Sequence, residues 1–329
     1  MANRVMVFAA PFTRHEPEAG EPLRAAGIEV LHGPEGRVTG AGALAGLLAG
    51  CAGSVASGER YDTQVLSMLP ELRIIARWGV GYDTIDLAAA TEAGVIVTNT
   101  PGTLQESVAD QTFALLLALS RRVPEQIEVA RSLNWRQVEG VELWQKTIGI
   151  VGLGSIGCAV ARRARGFSMR VLALDPYCPL ENLEALQATR VDLEQILREA
   201  DVITLHSNLT PETQGMIGEE QLRMMKPTAL LVNCGRGALV DQAALARALQ
   251  EGWIAGAALD TLVTEPPDPD DPILLAPNVI ITPHNSSMTA EASARVNAAV
   301  CENILAALAG RRPPSVVNPE VLERINLGE

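Results

Sequence analysis

The sequence predicts an α/β protein made of two doubly wound, parallel-sheet domains. Apolar runs of strand length alternate with helical segments along most of the chain, as is typical of parallel sheets covered by helices. A glycine pattern, G-x-G-x-x-G, stands between a predicted strand and a predicted helix near the middle of the chain. The length of 329 residues suits two domains of about 150 residues each.

The N-terminal third predicts the first sheet, which has no phosphate-binding pattern of its own. Residues 10–20 are polar and contain proline, so we expect a loop there. The helix predicted at 104–122 is apolar on nearly all sides, so we expect it to be buried between domains or subunits. The other predicted elements are strands at 4–9, 28–31, 53–57, 72–78 and 95–98 and helices at 21–26, 41–49, 63–69 and 85–93.

The second sheet is predicted to follow a polar stretch after that long helix. A proline-rich surface loop is predicted at 265–272, and the chain after Gly310 is predicted to be a polar tail. The predicted strands are 147–151, 170–174, 202–206, 229–234, 254–260 and 279–282, and the predicted helices are 155–167, 193–199, 220–225, 242–251 and 289–308. The first domain is expected to comprise residues 1–102 and 289–329, and the second 103–288.

The glycine pattern consists of Gly152, Gly154 and Gly157, which follow an apolar strand and open a helix. In such a unit the first glycine makes a tight turn, the second lets a pyrophosphate approach the backbone, and the third lets helix and strand pack closely. The phosphate would bind the free N–H groups at the helix start, near Ser155 and Ile156. A dinucleotide cofactor is therefore predicted.

Asp175 ends the next strand, 18 residues after Gly157. A carboxylate at this place can accept hydrogen bonds from the ribose hydroxyls of an adenosine. Residues 176–178 provide no arginine for a 2′-phosphate. The sequence therefore favours NAD over NADP.

Polar side chains at the predicted carboxyl ends of the later strands suggest acid–base chemistry, because ligands of such sheets bind there. These side chains are His206, Arg236, Asp260, Glu265 and His284, and the chain has only four histidines. Reduction of a carbonyl needs a proton donor, and histidine is the usual one near neutral pH. A carboxylate such as Glu265 could orient that histidine, and an arginine could bind a keto acid carboxylate.

Composition excludes several other classes of function. The net charge is −13 with only two lysines, which argues against nucleic acids and anionic membranes as partners. The five cysteines are scattered and lack C-x-x-C spacing, so neither a disulfide framework nor a metal site is expected. We find no signal peptide and no apolar segment of membrane-spanning length, so a cytoplasmic location is expected.

Several motifs together resemble the D-isomer-specific 2-hydroxyacid dehydrogenases, which include phosphoglycerate, glycerate/hydroxypyruvate, D-lactate and phosphite dehydrogenases. The resemblance covers nearly the whole chain. The motifs are ARWGVGYDTIDLAAATEAGVIVTNTPG, SVAD, GIVGLGSIG with Asp175, LHSNLTPET, LLVNCGRGALVD, AALDTLVTEPP and NVIITPHNSS. The resemblance implies a flavodoxin-like substrate-binding domain, a Rossmann NAD-binding domain, a cleft between them and a homodimer.

The resemblance also implies the roles of individual residues. His284 matches the acid/base, Glu265 its partner and Arg236 the residue that binds the substrate carboxylate. Val80 and Gly81 match the backbone N–H groups that bind the same carboxylate. The implied cofactor contacts are Gly152, Gly154, Ser155, Ile156, Gly157, Asp175, His206, Asn208, Thr213, Cys234, Gly235 and Asp260.

The substrate stays open between hydroxypyruvate or glyoxylate and a phosphoglycerate-like acid. Many phosphoglycerate dehydrogenases have an arginine where this chain has Gly58, although Arg60 is close by. Residues 285–287, Asn-Ser-Ser, also depart from the common pattern of the family. Phosphite oxidation and a non-catalytic, NAD-sensing binding protein are the alternatives. Formate dehydrogenases also resemble this family, but they have glutamine at the position of Glu265, which argues against that activity.

Overall fold

A computed structural model describes residues 3–34, 36 and 38–325. The chain forms two compact units, Met1–Leu104 with Met288–Glu329, and Gln105–Ser287. The last residues of the predicted polar tail, 326–329, lie outside the described residues. None of the helices in the described part of the chain is both long and apolar enough to span a membrane.

The first unit contains a five-stranded parallel sheet with the order β2-β1-β3-β4-β5. Its strands are β1 (Arg4–Val7), β2 (Glu29–His32), β3 (Gly53–Ala56), β4 (Ile74–Arg77) and β5 (Ile96–Thr98). The helices between them are α1 (Ala10–Arg14), α2 (Glu21–Ala25), α3 (Ala41–Leu48), α4 (Thr63–Ser67) and α5 (Leu87–Glu92). The central strands β3 and β4 are buried along most of their length, which explains their unbroken apolar runs.

Local chemistry sets the helix starts in this unit. The side chains of Asp62 and Asp86 accept hydrogen bonds from the first turns of α4 and α5. The predicted loop at 10–20 is wrong in part, because α1 occupies Ala10–Arg14. Pro11 is at the first turn of that helix, where a missing N–H costs no hydrogen bond.

The second unit contains a seven-stranded parallel sheet with the order β12-β11-β10-β9-β6-β7-β8. The strands are β6 (Thr147–Val151), β7 (Arg170–Leu174), β8 (Ala188–Arg190), β9 (Val202–Leu205), β10 (Leu230–Asn233), β11 (Gly256–Leu259) and β12 (Val279–Ile281). The helices are α6 (Gln105–Ser120), α7 (Val123–Arg131), α8 (Ser155–Gly166), α9 (Leu180–Leu186), α10 (Leu193–Glu199), α11 (Glu219–Met224) and α12 (Gln242–Glu251). The strand order reverses between β6 and β9, where open sheets of this type bind ligands.

Three elements of this unit were not predicted. Helix α7 lies in the stretch that was predicted to be polar and irregular, and α9 and β8 lie between β7 and α10. All three are short and rich in charged residues, so their apolar period is weak. Helix α6 packs against α8, β10, β11 and β12, but Glu106, Asp110 and Ala114 are exposed. Its expected burial between domains or subunits stays a prediction.

The chain returns to the first unit through α13 (Ala290–Leu308), which begins at the capping residue Thr289 and packs against β4, α1 and α2. The tail after Gly310 is hydrogen-bonded to β5 and contains a short helix. Val317 N donates to Val97 O (2.9 Å), and the Asn318 side chain accepts from Val97 N (2.8 Å). A 3-10 helix follows at Pro319–Glu323.

Candidate active site

Two of the three glycines after β6 are required by contacts within the protein. Gly152 has a φ of +91°, and a Cβ there would lie 2.6 Å from the amide nitrogen of Ser207. A Cβ on Gly157 would lie 2.1 Å from the carbonyl oxygen of Gly152. A Cβ on Gly154, in contrast, would meet no atom of the described residues within 4 Å. The space beside Gly154, at the start of α8, therefore fits a phosphate group.

Asp175 organises the turn after β7. Its Oδ2 accepts a hydrogen bond from Leu153 N (2.8 Å), in the glycine turn. Its Oδ1 accepts from Tyr177 N (2.8 Å) and Cys178 N (3.0 Å). A carboxylate has about four acceptor positions, so one remains for a ribose hydroxyl.

His284 and Glu265 form a pair in the second unit. His284 Nδ1 lies 2.8 Å from Glu265 Oε2. The backbone of His284 is left-handed, with a φ of +53°, a conformation that few non-glycine residues adopt. The His284 side chain is 47% exposed. Because Glu265 occupies Nδ1, Nε2 is the ring nitrogen that a bound ligand can reach.

The surroundings of Glu265 keep it ionised. Burial raises the pKa of Glu265, but the hydrogen bond and charge of His284 and the amide of Leu262 together lower it more, so its pKa lies below the ordinary value. Oε1 of Glu265 accepts from Leu262 N at 3.1 Å. At neutral pH Glu265 is thus a carboxylate that fixes one ring nitrogen of His284.

Asp260 holds the loop that carries His284. Its side chain is buried, and Oδ1 accepts from Thr282 Oγ1 (2.6 Å) and Asn285 N (2.8 Å). Oδ2 accepts from Ser286 N (2.8 Å) and from the Ser286 hydroxyl. The amide of His284 also donates to Asp260 O at 2.8 Å. Both carboxylate oxygens are thus hydrogen-bonded to the loop after β12 that carries His284.

Arg236 follows β10 on a loop that Asn233 closes. Asn233 Oδ1 accepts from Gly235 N (3.0 Å), and its Nδ2 donates to Arg236 O (2.8 Å). A Cβ on Gly237 would lie 2.1 Å from the carbonyl carbon of Leu262. Gly237 therefore lets the Arg236 loop approach the segment that leads to Glu265.

His206 follows β9 directly and has a different environment. Its Nε2 lies 2.8 Å from Thr204 Oγ1. Its Nδ1 is buried and has no hydrogen-bond partner in the described part of the chain. Burial lowers the pKa of His206 to about 4, so the ring is neutral at physiological pH.

The remaining predicted cofactor residues lie on loops near the same sheet edge. Thr213 Oγ1 donates to Asn208 O at 2.7 Å and so stabilises the loop after β9. Burial raises the pKa of Cys234 to about 11, which makes it a neutral, small residue. Within residues 3–34, 36 and 38–325 no cluster of His, Cys, Asp or Glu could hold a metal ion.

Val80 and Gly81 lie in the first unit, on the loop that follows β4. Gly79 before them has a φ of +131°. Gly79 O accepts from Thr100 N (3.0 Å), and Val80 O accepts from Asn99 Nδ2 (2.8 Å). The loop is thus fixed by the segment that follows β5.

Sequence reasoning missed three residues that organise these loops: Asn99, Asn233 and Thr282. Each donates or accepts a hydrogen bond whose partner becomes its neighbour only in the folded chain. Asn233 was the easiest of the three to predict, because an asparagine shortly before a glycine commonly closes a turn.

Comparison with known proteins gives one consistent result. The model of a family described as "D-isomer specific 2-hydroxyacid dehydrogenase, NAD binding domain" matches residues 113–286. The chain is 48% identical over 271 residues to a glyoxylate reductase of Korarchaeum cryptofilum, covering 80% of this chain and 82% of the relative. It is 42% identical over 278 residues to a D-3-phosphoglycerate dehydrogenase of Methanocaldococcus jannaschii, covering 84% of this chain but 53% of that protein. A solved structure, the TT0316 protein from Thermus thermophilus, matches with a TM-score of 0.86 and 39% identity, covering 95% of this chain and 99% of that one.

Proposed function

The chain belongs to the D-isomer-specific 2-hydroxyacid dehydrogenase family, and from that premise we propose that it reduces glyoxylate or hydroxypyruvate with NADH. It is an oxidoreductase that interconverts a D-2-hydroxy acid and its 2-keto acid with a nicotinamide cofactor. The observation that carries the proposal is the His284–Glu265 pair, with Nδ1 and Oε2 2.8 Å apart.

In the proposed reaction His284 is the acid/base. When bound, the nicotinamide supplies a hydride to the carbonyl carbon, and the carbonyl oxygen then needs a proton. Nε2 of His284 donates that proton, and Glu265 fixes the tautomer and stabilises the charged imidazole. In the opposite direction His284 accepts the proton of the hydroxyl group.

The substrate carboxylate is assigned to two groups of donors. Arg236 offers a planar guanidinium, which binds a carboxylate through two parallel hydrogen bonds. Val80 and Gly81 offer backbone N–H groups. Both contacts are the same for the keto acid and the hydroxy acid, so they mainly determine binding rather than the chemical step.

The preference for NADH is assigned to Asp175. One acceptor position of its carboxylate suits a ribose hydroxyl, whereas its charge opposes a 2′-phosphate. The phosphates are assigned to the space beside Gly154 and to the amides of Ser155 and Ile156. The other proposed cofactor contacts are Gly152, Gly157, His206, Asn208, Thr213, Cys234, Gly235 and Asp260.

A small substrate is favoured over a phosphorylated one. The loop after β3 contains a buried acid, Glu59, which accepts from Ser57 N at 2.7 Å. Arg60 is 84% exposed on its side chain, and its Nε lies 3.7 Å from Asp62 Oδ2. A buried carboxylate in this loop would repel a phosphate, which supports glyoxylate or hydroxypyruvate. The relatives named glyoxylate reductase favour the same interpretation.

The test is the oxidation of NADH, with NADPH in parallel, against a panel of 2-keto acids. We expect turnover of glyoxylate or hydroxypyruvate with NADH and much weaker turnover of phosphohydroxypyruvate. The His284→Asn variant is the control for contaminating activity. Absence of turnover on the whole panel, with NADH still bound, would refute the proposed reaction and favour the NAD-sensing alternative.

We also propose that the protein is a cytoplasmic homodimer. The segment from α7 to β6 exposes large apolar side chains, including Leu133 (84%), Trp135 (81%) and Trp144 (60%). Several large exposed apolar side chains on one segment support an interaction surface, which a second copy would cover. Light scattering should give twice the chain mass, and a Trp135→Ser variant should weaken the dimer. A monomeric parent protein would contradict this assignment.

A further inference from the structure

The loop after β4 has three successive carbonyl groups that are all held by donors. Trp78 O accepts from the guanidinium of Arg77. Gly79 O accepts from Thr100 N at 3.0 Å, and Val80 O accepts from Asn99 Nδ2 at 2.8 Å. The last two donors come from the segment directly after β5, so this segment determines the orientation of the loop.

The orientation of a carbonyl fixes the orientation of the next amide. In a planar trans peptide the C=O of one residue and the N–H of the next point in opposite directions. Because Gly79 O and Val80 O point toward the segment after β5, the N–H groups of Val80 and Gly81 point away from it. Neither N–H has a hydrogen-bond acceptor among residues 3–34, 36 and 38–325. Two adjacent, unpaired donors of this kind form an anion-binding site.

Asn99 is itself held firmly enough to act as a support. It is buried, and its carbonyl accepts from Asn303 Nδ2 of α13 at 3.3 Å. Its amide donates to Ser315 O at 3.3 Å. The backbone of Asn99 is therefore held on both its carbonyl and its amide side, so the side chain reaches Val80 O from a fixed backbone position.

We propose that Asn99 is a positioning residue for the substrate: by holding Val80 O, it directs the N–H of Gly81 at the substrate carboxylate. The proposal rests on the proposed function only for the identity of the anion. Asn99 itself is not assigned a contact with substrate or cofactor. Asn99 orients only the peptide group between Val80 and Gly81. The peptide group between Gly79 and Val80, which carries the Val80 N–H, is held separately by Thr100 N.

A positioning role predicts a specific pattern in the kinetics. The substrate carboxylate does not change during reduction, so its contacts bind the ground state and the transition state equally. Loss of one hydrogen bond to a charged group should raise KM by about tenfold or more. We therefore expect Asn99→Ala to raise KM for glyoxylate about tenfold, with kcat within about twofold of the parent and unchanged affinity for NADH.

Oxamate supplies a readout that does not depend on turnover, because it carries the same carboxylate beside an amide carbonyl. Its affinity for the NADH-bound protein, measured by fluorescence titration, should fall by the same factor in Asn99→Ala. Asn99→Asp, which keeps the shape of the side chain but places an acceptor against Val80 O, should lower it at least as much. The Asp variant thus provides a second test if the Ala variant does not fold.

Asn318→Ala is the matched control. Asn318 is also a buried asparagine of the first unit whose side chain binds backbone, at Val97 N (2.8 Å) and Val95 O (3.0 Å), but it does not contact the loop after β4. Its loss should lower the melting temperature and leave oxamate affinity unchanged. The proposal is overturned if oxamate affinity is unchanged in both Asn99 variants, if Asn318→Ala lowers it equally, or if the parent protein binds no oxamate. Failure of the parent to reduce any keto acid while it binds oxamate would refute the proposed function instead.

Discussion

Two histidines follow strands of the same sheet, and their surroundings differ in every respect that matters for proton transfer. His206 follows β9, has a buried Nδ1 without a partner in the described part of the chain and contacts Thr204 through Nε2. His284 follows β12, is 47% exposed and contacts Glu265 through Nδ1. Burial lowers the pKa of His206 to about 4, so it stays neutral at physiological pH. The residue type and the sheet edge are shared, so only the neighbouring groups distinguish the two histidines as candidates for proton transfer.

The comparison extends to the backbone. The amide of His206 donates to Val151 O of β6 at 2.7 Å, which continues the sheet. His284 instead adopts a left-handed conformation in a loop that Asp260 holds through four side-chain hydrogen bonds. Strained residues of this kind persist only where the surrounding structure fixes them, and they are common at active sites. The backbone of His206 thus continues the hydrogen bonding of the sheet. The backbone of His284 is unfavourable by itself and is held by the hydrogen bonds of Asp260.

Replacement of His284 should have the largest effect. His284→Asn removes the proposed proton donor but tolerates the left-handed backbone, because asparagine adopts this conformation more readily than most residues. We expect kcat for glyoxylate to fall about 10³-fold, a typical loss for a general acid, with unchanged NADH affinity. Steady-state kinetics and NADH fluorescence titration measure the two quantities. A fall in kcat of less than about tenfold would contradict the proposed role of His284 as the acid/base.

Replacement of Glu265 should have the next largest effect. Glu265→Gln leaves the size of the side chain but removes the charge that orients and stabilises the His284 ring, so kcat should fall about 10²-fold. The pKa of Glu265 is lowered in the folded protein, so the pair stabilises the fold above the ordinary carboxyl pKa of about 4.3. This stabilisation disappears as the pH falls through the lowered value. Glu265→Gln should therefore show a weaker loss of stability in that acid range, and an unchanged acid profile would show that the ion pair has no influence.

Replacement of Asp260 should have an intermediate effect on activity and a large one on stability. Asp260→Asn places an amide donor where the carboxylate now accepts from Thr282, Asn285 and Ser286. We expect a loss of about 2 kcal/mol in unfolding free energy and a fall of about tenfold in kcat. Thr282→Val, which removes one of the four donors, should give a smaller loss of both. NADH affinity, measured in the same variants, separates the support of the loop from a direct cofactor contact.

Replacement of His206 should change activity least and should alter the acid stability of the fold. The unfolded chain binds a proton at His206 below a pH of about 6.5, whereas the folded chain does so only near the lowered value. Stability from this group is therefore complete above about pH 6.5 and decreases by about 2 kcal/mol between pH 7 and 5. His206→Gln should remove this decrease, as urea unfolding at the two pH values would show. An equal decrease in both proteins would contradict the burial of His206.

Much of the fold follows from local sequence. Strand β6 and helices α10 and α12 match the predicted ranges because strong local signals mark their limits. Asp192 and Asp241 cap the two helices, and the apolar run of β6 ends at Gly152. Helix α1 was missed because proline usually breaks a helix, although Pro11 is compatible with a first turn.

The sequence identifies candidate site residues but not the residues that hold their loops. The motifs identify Arg236, Glu265 and His284 as candidates, whose catalytic roles stay proposals. The contact between Glu265 and His284 depends on the pairing of β11 with β12, which sets the distance between their loops. The contact of Asn99 with Val80 O joins loops that follow two different strands. No local pattern encodes such contacts, because they arise only when the strands are in register.

The most direct test of His284 as the proposed proton donor is chemical rescue by imidazole in His284→Gly and His206→Gly. Both variants leave space for an imidazole molecule, and glycine accepts the left-handed backbone at position 284. We expect imidazole to raise the rate of glyoxylate reduction by His284→Gly at least tenfold, in proportion to the imidazolium concentration, and to leave that of His206→Gly unchanged. Near-parental turnover of His284→Gly without imidazole, or rescue of His206→Gly alone, would contradict the assignment of His284 as the proton donor.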